Sequence, residues 1–378
     1  MSVLEKHRVF GLDAIRALAI LLVLVSHSTL LLYPVQENTF LTAIRFFGTV
    51  GVDLFFVLSG FLIGGIILKQ INSNKVKFKD FVYFWMRRWF RTLPNYYFIL
   101  TLNIFLVYIF SGEIINGVDA YFLFFQNFAS AQQDFFTEAW SLSIEEFAYI
   151  IGPLFLYLSL LLVKRVSKHL LYLVITLLII IGITICRYYF HMNNVLDSGQ
   201  EWSRALRKVV VYRIDAIYYG FLAVYIATYF KDIWQNFRVH SFVVGMLLFF
   251  GMHAIFFYEA LSPDNAPLFF NVFYLPFVAI ALLLCFPFVI QIKSKGSLKR
   301  VITKLSVLSY AIYLTNYSIV LLTIQHFIDM SDSSMVLKFM VLLVYWSLSI
   351  YLSHLLYTYF EKPMMDLRDR PKLKALVK

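Results

Sequence analysis

Ten long apolar stretches follow one another along the chain, separated by short polar segments. They fall at about 10–32, 44–68, 82–110, 144–163, 170–190, 209–230, 240–258, 268–292, 304–328 and 335–361. A helix needs roughly 20 apolar residues to cross the hydrocarbon core of a bilayer, and the stretches meet that length. The pattern predicts an all-α, polytopic membrane protein of about ten transmembrane helices. Residues 1–378 read as one integral membrane domain, because the longest polar stretches are loops. No internal repeat or pair of symmetric halves stands out. The first stretch is too long for a secretory signal, carries Asp13 and Arg16, and lacks a small-residue cleavage site, so it is expected to stay as a span.

Composition agrees. Hydrophobic residues make up 61% and charged residues 15%, and the mean hydropathy is +0.75. Soluble domains carry about a quarter charged residues. Cys186 and Cys285 both fall in apolar stretches and read as inert packing residues, with no disulfide framework and no metal site. The net charge of +11 changes its meaning once it is sorted by side. With the N-terminus placed in the cytoplasm, 25 Lys and Arg fall on the cytoplasmic side and 6 on the outer side. Cytoplasmic enrichment of this kind puts both termini inside, in the cell's inner (plasma) membrane. The basic residues are then topology determinants and partners for anionic headgroups, and nucleic acid is not an expected partner.

Against this apolar background the ionisable residues inside spans are conspicuous, because each is costly unless it faces a polar interior. Arg16 and His27 lie eleven residues apart in the first span. At about 100° and 1.5 Å per residue they share a helix face and stand roughly 16 Å apart along the axis. Asp13, three residues before Arg16, is placed to pair with it. Arg87, Arg88 and Arg91 open the third span among aromatics. They read either as a phosphate grip or as ordinary positive-inside flanking with snorkelling side chains. Glu145 and Glu146 follow Ser141 and Ser143 at the outer start of the fourth span. They serve either as a capping turn or as carboxylates at the depth of His27, able to orient it. Asp53, Arg213 and Asp215 add charge in spans two and six, the last two as a prospective internal pair. All these groups are expected to face one cavity.

Two further features have a structural and a functional reading each. The outer loop 111–143 lacks Lys and Arg but has Glu113, Asp119, Asp134 and Glu138. It also holds Tyr121, Phe122, Phe124, Phe125, Phe128, Phe135, Phe136 and Trp140, either an interfacial aromatic belt or a surface for stacking sugar rings. In span two, Gly60 and Gly64 are a small-xxx-small pair suited to close helix packing.

The layout is polarised: arginines at the cytoplasmic mouth, His27 with glutamate at the outer mouth. A molecule with phosphates at one end and a thioester on a thin arm, such as coenzyme A, has the matching shape. Here the chain resembles the bacterial acyltransferase-3 family of integral membrane acyltransferases. The resemblance rests on Gly11-Leu12-Asp13-x-x-Arg16-x10-His27 and on Gly51-Val52-Asp53-Leu54-Phe55-Phe56-Val57-Leu58-Ser59-Gly60-Phe61-Leu62-Ile63. It continues with Arg87-Arg88-x-x-Arg91-x-x-Pro94 and Trp140-Ser141-Leu142-Ser143-Ile144-Glu145-Glu146. Weaker echoes are Arg213-x-Asp215, Leu308-Ser309-Tyr310-x-x-Tyr313-Leu314 and Glu361-Lys362-Pro363. Single motifs are weak, whereas their order along the whole chain is specific.

The resemblance implies transfer of an acyl group, commonly acetyl, from cytoplasmic acyl-CoA to a sugar hydroxyl at the outer face. Acyl-CoA would be a donor substrate, with no permanently bound cofactor and no metal. A glycan or lipid-linked sugar would be the acceptor. The family's functional positions map to Arg16, His27, Arg88 and Arg91, with Arg87 adjacent. His27 would act as general base with Glu145 or Glu146 in support, by direct attack or through a transient acyl-enzyme. Two positions depart from the family pattern: Phe147 stands where Gln is frequent, and Asn316 where many members have His. No esterase-like domain of the kind some members carry is fused within the sequence, so transfer alone or with a separate partner is expected. The alternatives are a transporter or flippase of a lipid-linked or anionic substrate, or an acyltransferase with a non-sugar acceptor. Oligomeric state is not legible.

Overall fold

The computed structural model describes residues 8–35 and 38–370. Lys6, Lys372, Lys374 and Lys378, which enter the charge count, lie outside the described residues. Among the described residues ten helices are long and apolar enough to cross a membrane: α1 (Phe10–Leu32), α2 (Thr39–Asn72), α3 (Phe78–Ser111), α4 (Ala139–Leu162), α5 (Lys168–Asn193), α6 (Val210–Tyr229), α7 (Arg238–Tyr258), α8 (Phe269–Val289), α9 (Gly296–Phe327) and α10 (Met335–Arg368). Each expected stretch is found, and no strand occurs among the described residues. The ends that differ most are the start of α9, eight residues earlier than hydropathy places it, and the end of α10, seven residues later; α3 and α4 start four and five residues early. At the start of α4, Trp140, Ser141 and Ser143 continue the helix because they are buried, with Ser141 bonded to Tyr313 and Ser143 to Gln126. Hydropathy alone reads them as flanks.

Helices α1, α2, α6, α8 and α9 form the interior, while α7 is almost wholly exposed along its length. The centre is built on close backbone approach. Added side-chain carbons at Gly60 and Gly220 would sit 1.9 Å from the Ile217 carbonyl oxygen and 2.4 Å from that of Val57. Only glycine permits that crossing of α2 with α6. Gly64 packs in the same seam, against Phe221 and Tyr172.

Two buried ion pairs tie the same region together. Arg213 on α6 binds Asp53 on α2, and Arg187 on α5 binds Asp215 at 2.7 Å. The expected pairing of Arg213 with Asp215 does not form. Residues two apart on a helix point to nearly opposite sides, so each turns to a different neighbour. Arg187, counted as an outer-segment charge in the sequence reading, is fully buried. Cys186 beside it is exposed rather than packed, and Cys285 is half-buried on α8.

The segment between α3 and α4 folds back onto α3. Tyr121, Phe124, Phe135 and Phe136 are buried, and Tyr96 stacks on Phe124 at 4.4 Å. Phe122 and Phe125 remain exposed. Half of this aromatic set is therefore a second small core.

Candidate active site

Arg16 and His27 lie on the face of α1 that packs against α9. Arg16 donates to Ser306 Oγ at 3.0 Å. His27 Nδ1 lies 2.6 Å from Asn316 Oδ1. Ser306 and Asn316 are ten residues apart on α9, about 15 Å, which matches the eleven-residue spacing on α1. The shared face expected from the sequence is present, and α9 is the element it addresses.

Around Arg16 the charges gather. Asp13 is 3.5 Å from Arg16 and accepts two bonds from Arg8, at 2.6 and 3.0 Å, and one from Ser306 at 2.7 Å. One carboxylate thus holds two guanidiniums, and Arg16 keeps an unneutralised side toward the interior. There a cavity of about 770 Å³, counting its open mouth, is lined by Arg16, Arg88, Arg91, Glu145, Ser59, Ser141, Ser309, Tyr310 and Tyr313 among apolar neighbours from α2. Three guanidiniums and one carboxylate face it, so the lining carries excess positive charge. Arg88 packs its guanidinium over the Tyr149 ring at 4.4 Å and lies 3.9 Å from Glu145. Arg91 lies 3.9 Å from the buried Glu361 of α10, which Asn95 also holds at 3.0 Å.

Arg87 does not join them. It is exposed, over the Tyr83 ring at 5.8 Å, and does not line the cavity. Around the helix Arg91 lies between the other two, about 60° from Arg88 and 40° from Arg87, so Arg87 is at the outward edge of the group, about 100° from Arg88. Asp53, Arg213 and Asp215 are also absent from the cavity wall, since their charges are satisfied in the buried pairs.

Glu145 and Glu146 stand elsewhere than expected. Glu145 accepts Ser59 at 3.1 Å and Tyr149 at 2.7 Å, besides facing Arg88. Glu146 accepts Thr92 and Trp89, both at 3.1 Å. Every described partner of the two lies on α2, α3 or α4, and neither hydrogen-bonds to His27. Arg88 is about 15 Å inside α3 and Glu145 about 9 Å inside α4, so the two meet within the bundle rather than at opposite mouths.

His27 has a neutral setting instead. Its partner is the Asn316 amide, and the Tyr317 ring leans on it at 4.8 Å. Asn316 opens a π-helical turn, Asn316–Leu321, a local widening often found at functional sites. The same turn carries Ser318, whose hydroxyl donates to Glu138 at 2.6 Å. Glu138, just before α4, is the carboxylate on the side of this turn toward the α3–α4 segment. Burial pushes it up to about 7, against the lowering pull of the Ser318 hydrogen bonds. The cavity does not include His27. It ends at Tyr313, bonded to Ser141 at 2.7 Å and one helical turn before Asn316.

Sequence reasoning missed Ser306, which carried no signal, and Glu138, which stood out only as one of four loop acids. Tyr313 was visible in a weak motif, and Asn316 only as a departure.

A family model described as an acyltransferase domain matches residues 9–358. The chain is 32% identical over 219 residues to a putative peptidoglycan O-acetyltransferase of Bacillus subtilis, covering 53% of this chain and 31% of the relative. It is 33% identical over 183 residues to a peptidoglycan O-acetyltransferase of Listeria monocytogenes, covering 44% and 27%. An O-acetyltransferase of Staphylococcus aureus matches at 29% over 160 residues, covering 38% and 24%. The matched stretches span less than a third of these relatives' own length. No solved structure matches the chain.

Proposed function

The chain belongs to the acyltransferase-3 family, and from that premise we propose that it is a multi-pass membrane O-acyltransferase. It moves an acyl group, acetyl by analogy with the relatives' names, from cytoplasmic acyl-CoA to a hydroxyl of a cell-surface or lipid-linked glycan at the outer face. The observation that carries this reading is the cavity. Three guanidiniums line it, and its far end stops one helical turn from the partner of His27.

The chemistry follows from that arrangement. Arg16, Arg88 and Arg91 bind the donor's phosphates, a charge-assisted contact favoured in a site poor in water. Glu145 and Tyr149 hold Arg88 in its rotamer, and Asp13 with Ser306 holds Arg16. The thin pantetheine arm passes along the cavity toward His27. His27 takes the proton of the acceptor hydroxyl, the oxygen forms a bond to the thioester carbonyl carbon, and the carbon–sulfur bond breaks. The imidazolium returns its proton to the departing thiolate. A general base near neutral pH contributes about 10²–10⁴-fold.

The test is transfer of label in sealed vesicles given radiolabelled acetyl-CoA on the side of the chain's termini. The expected result is label on a glycan of the opposite face, lost in His27→Ala. Donor-independent movement of a lipid-linked sugar, with no label transferred, contradicts the enzyme and supports a flippase. Label on a non-sugar acceptor keeps the transfer but replaces the glycan.

A further inference from the structure

We propose that Asn316 is a positioning residue for the transfer: its amide fixes His27 in the tautomer that leaves Nε2 as the free base. This rests on the reading of His27 as the general base.

The amide orientation comes first. Asn316 Nδ2 lies 2.7 Å from the Ile312 carbonyl oxygen and 3.0 Å from that of Tyr313. Carbonyl oxygens only accept, so the atom facing them is the donating nitrogen. Oδ1 then points away from its own helix. It receives the Tyr345 phenol at 3.3 Å and faces His27 Nδ1 at 2.6 Å. Two acceptors do not meet at that distance, so Nδ1 carries the hydrogen. In the neutral ring, Nε2 keeps the lone pair. Tyr317, against the imidazole, restrains its rotation.

The choice of amide has a chemical consequence. A carboxylate in the same place would also accept from Nδ1, but it would hold the imidazolium once formed. A neutral amide supplies the geometry without that charge. The proton taken from the acceptor is therefore not trapped on the ring and can pass to the thiolate. The groups facing this corner fit a site of low charge: the Tyr317 and Tyr345 phenols on α9 and α10, with no carboxylate among the described residues hydrogen-bonded to His27. Charged groups stand further out, Lys208 on the loop before α6 and Glu138 behind Ser318.

The experiment is nitrogen NMR of the full chain, labelled with ¹⁵N-histidine and held in lipid nanodiscs. The His27 signal is identified by its loss in His27→Gln. The expected wild-type spectrum shows Nδ1 protonated and Nε2 unprotonated for the neutral ring. Asn316→Leu should mix the tautomers and lower kcat about 10–100-fold, less than the full contribution of a general base because the imidazole remains, with acyl-CoA affinity unchanged. Asn316→Asp should restore the tautomer and move the acid limb of kcat/KM to higher pH, which a merely structural contact would not do. A wild-type His27 with its hydrogen on Nε2 overturns the proposal. So does an Asn316→Leu protein with unchanged tautomer and kcat. Full transfer by His27→Ala would remove the general-base reading and the proposal with it. It would be recognised separately, because the NMR tautomer would still be as stated.

Discussion

The two ends of the Arg16–His27 axis are held by opposite means. At the Arg16 end, three guanidiniums surround a cavity, and each is set by a carboxylate: Asp13, Glu145 and Glu361. At the His27 end the partners are an amide and phenols. A site that binds multiply charged phosphates gains from fixed, paired cations. One that must take up a proton and give it back is better served by a neutral partner. The difference argues that the ends divide the work, binding at one and proton transfer at the other.

That division can be broken at either end. The largest expected effect is at the histidine: His27→Ala should lower acceptor acylation by about a thousandfold while the protein still binds acyl-CoA. Next is Arg88→Ala with Arg91→Ala. Hydrogen bonds to charged groups are worth about 1.5–3 kcal/mol each, so donor affinity should fall at least a hundredfold in equilibrium binding, with a weaker salt dependence. Retained affinity in the double variant would show that the charged end does not hold the donor. Arg187→Ala lies apart from both ends and strands the buried Asp215. It should cost about 3–5 kcal/mol of stability, read as a lower Tm, without a specific effect on donor affinity. Glu138→Gln sharpens the neutral end. The wild-type carboxyl keeps its proton to about 7 when folded, but loses it near 4.3 when unfolded. The folded state holds more protons between those values, so wild-type stability falls as pH rises through that window. Thermal melts of Glu138→Gln should show less of the decline than the wild type. The smallest effect is expected from Arg87→Ala. The side chain is exposed and off the cavity, so donor affinity should change less than about twofold.

The same comparison shows what the sequence could convey. All ten spans were legible, because a long apolar run has few other uses. The common face of Arg16 and His27 was legible as well, since it depends only on helical repeat. Partners were harder. Nothing local joins His27 to Asn316, nearly 290 residues away, or Arg16 to Ser306. Hydropathy started α4 at residue 144, which put Glu145 at one mouth and Arg88 near the other in the reading, although they meet in the fold. The proximity of Glu145 to the outer loop suggested His27 as its partner. The carboxylate that the His27-bearing region does approach, Glu138 through Ser318, looked like one loop acid among several. Arg213 and Asp215 invited pairing by nearness in sequence, and the helix turned them apart.

The central claim is that binding and proton transfer reside at separate ends, and one paired measurement tests it most directly. Equilibrium binding of acetyl-CoA and single-turnover acylation of acceptor should be measured on His27→Ala and on Arg88→Ala/Arg91→Ala. The account predicts wild-type affinity with acylation lowered about a thousandfold for the first, and affinity lost at least about a hundredfold for the second. Normal acylation by His27→Ala, or normal affinity in the arginine variant, would contradict it.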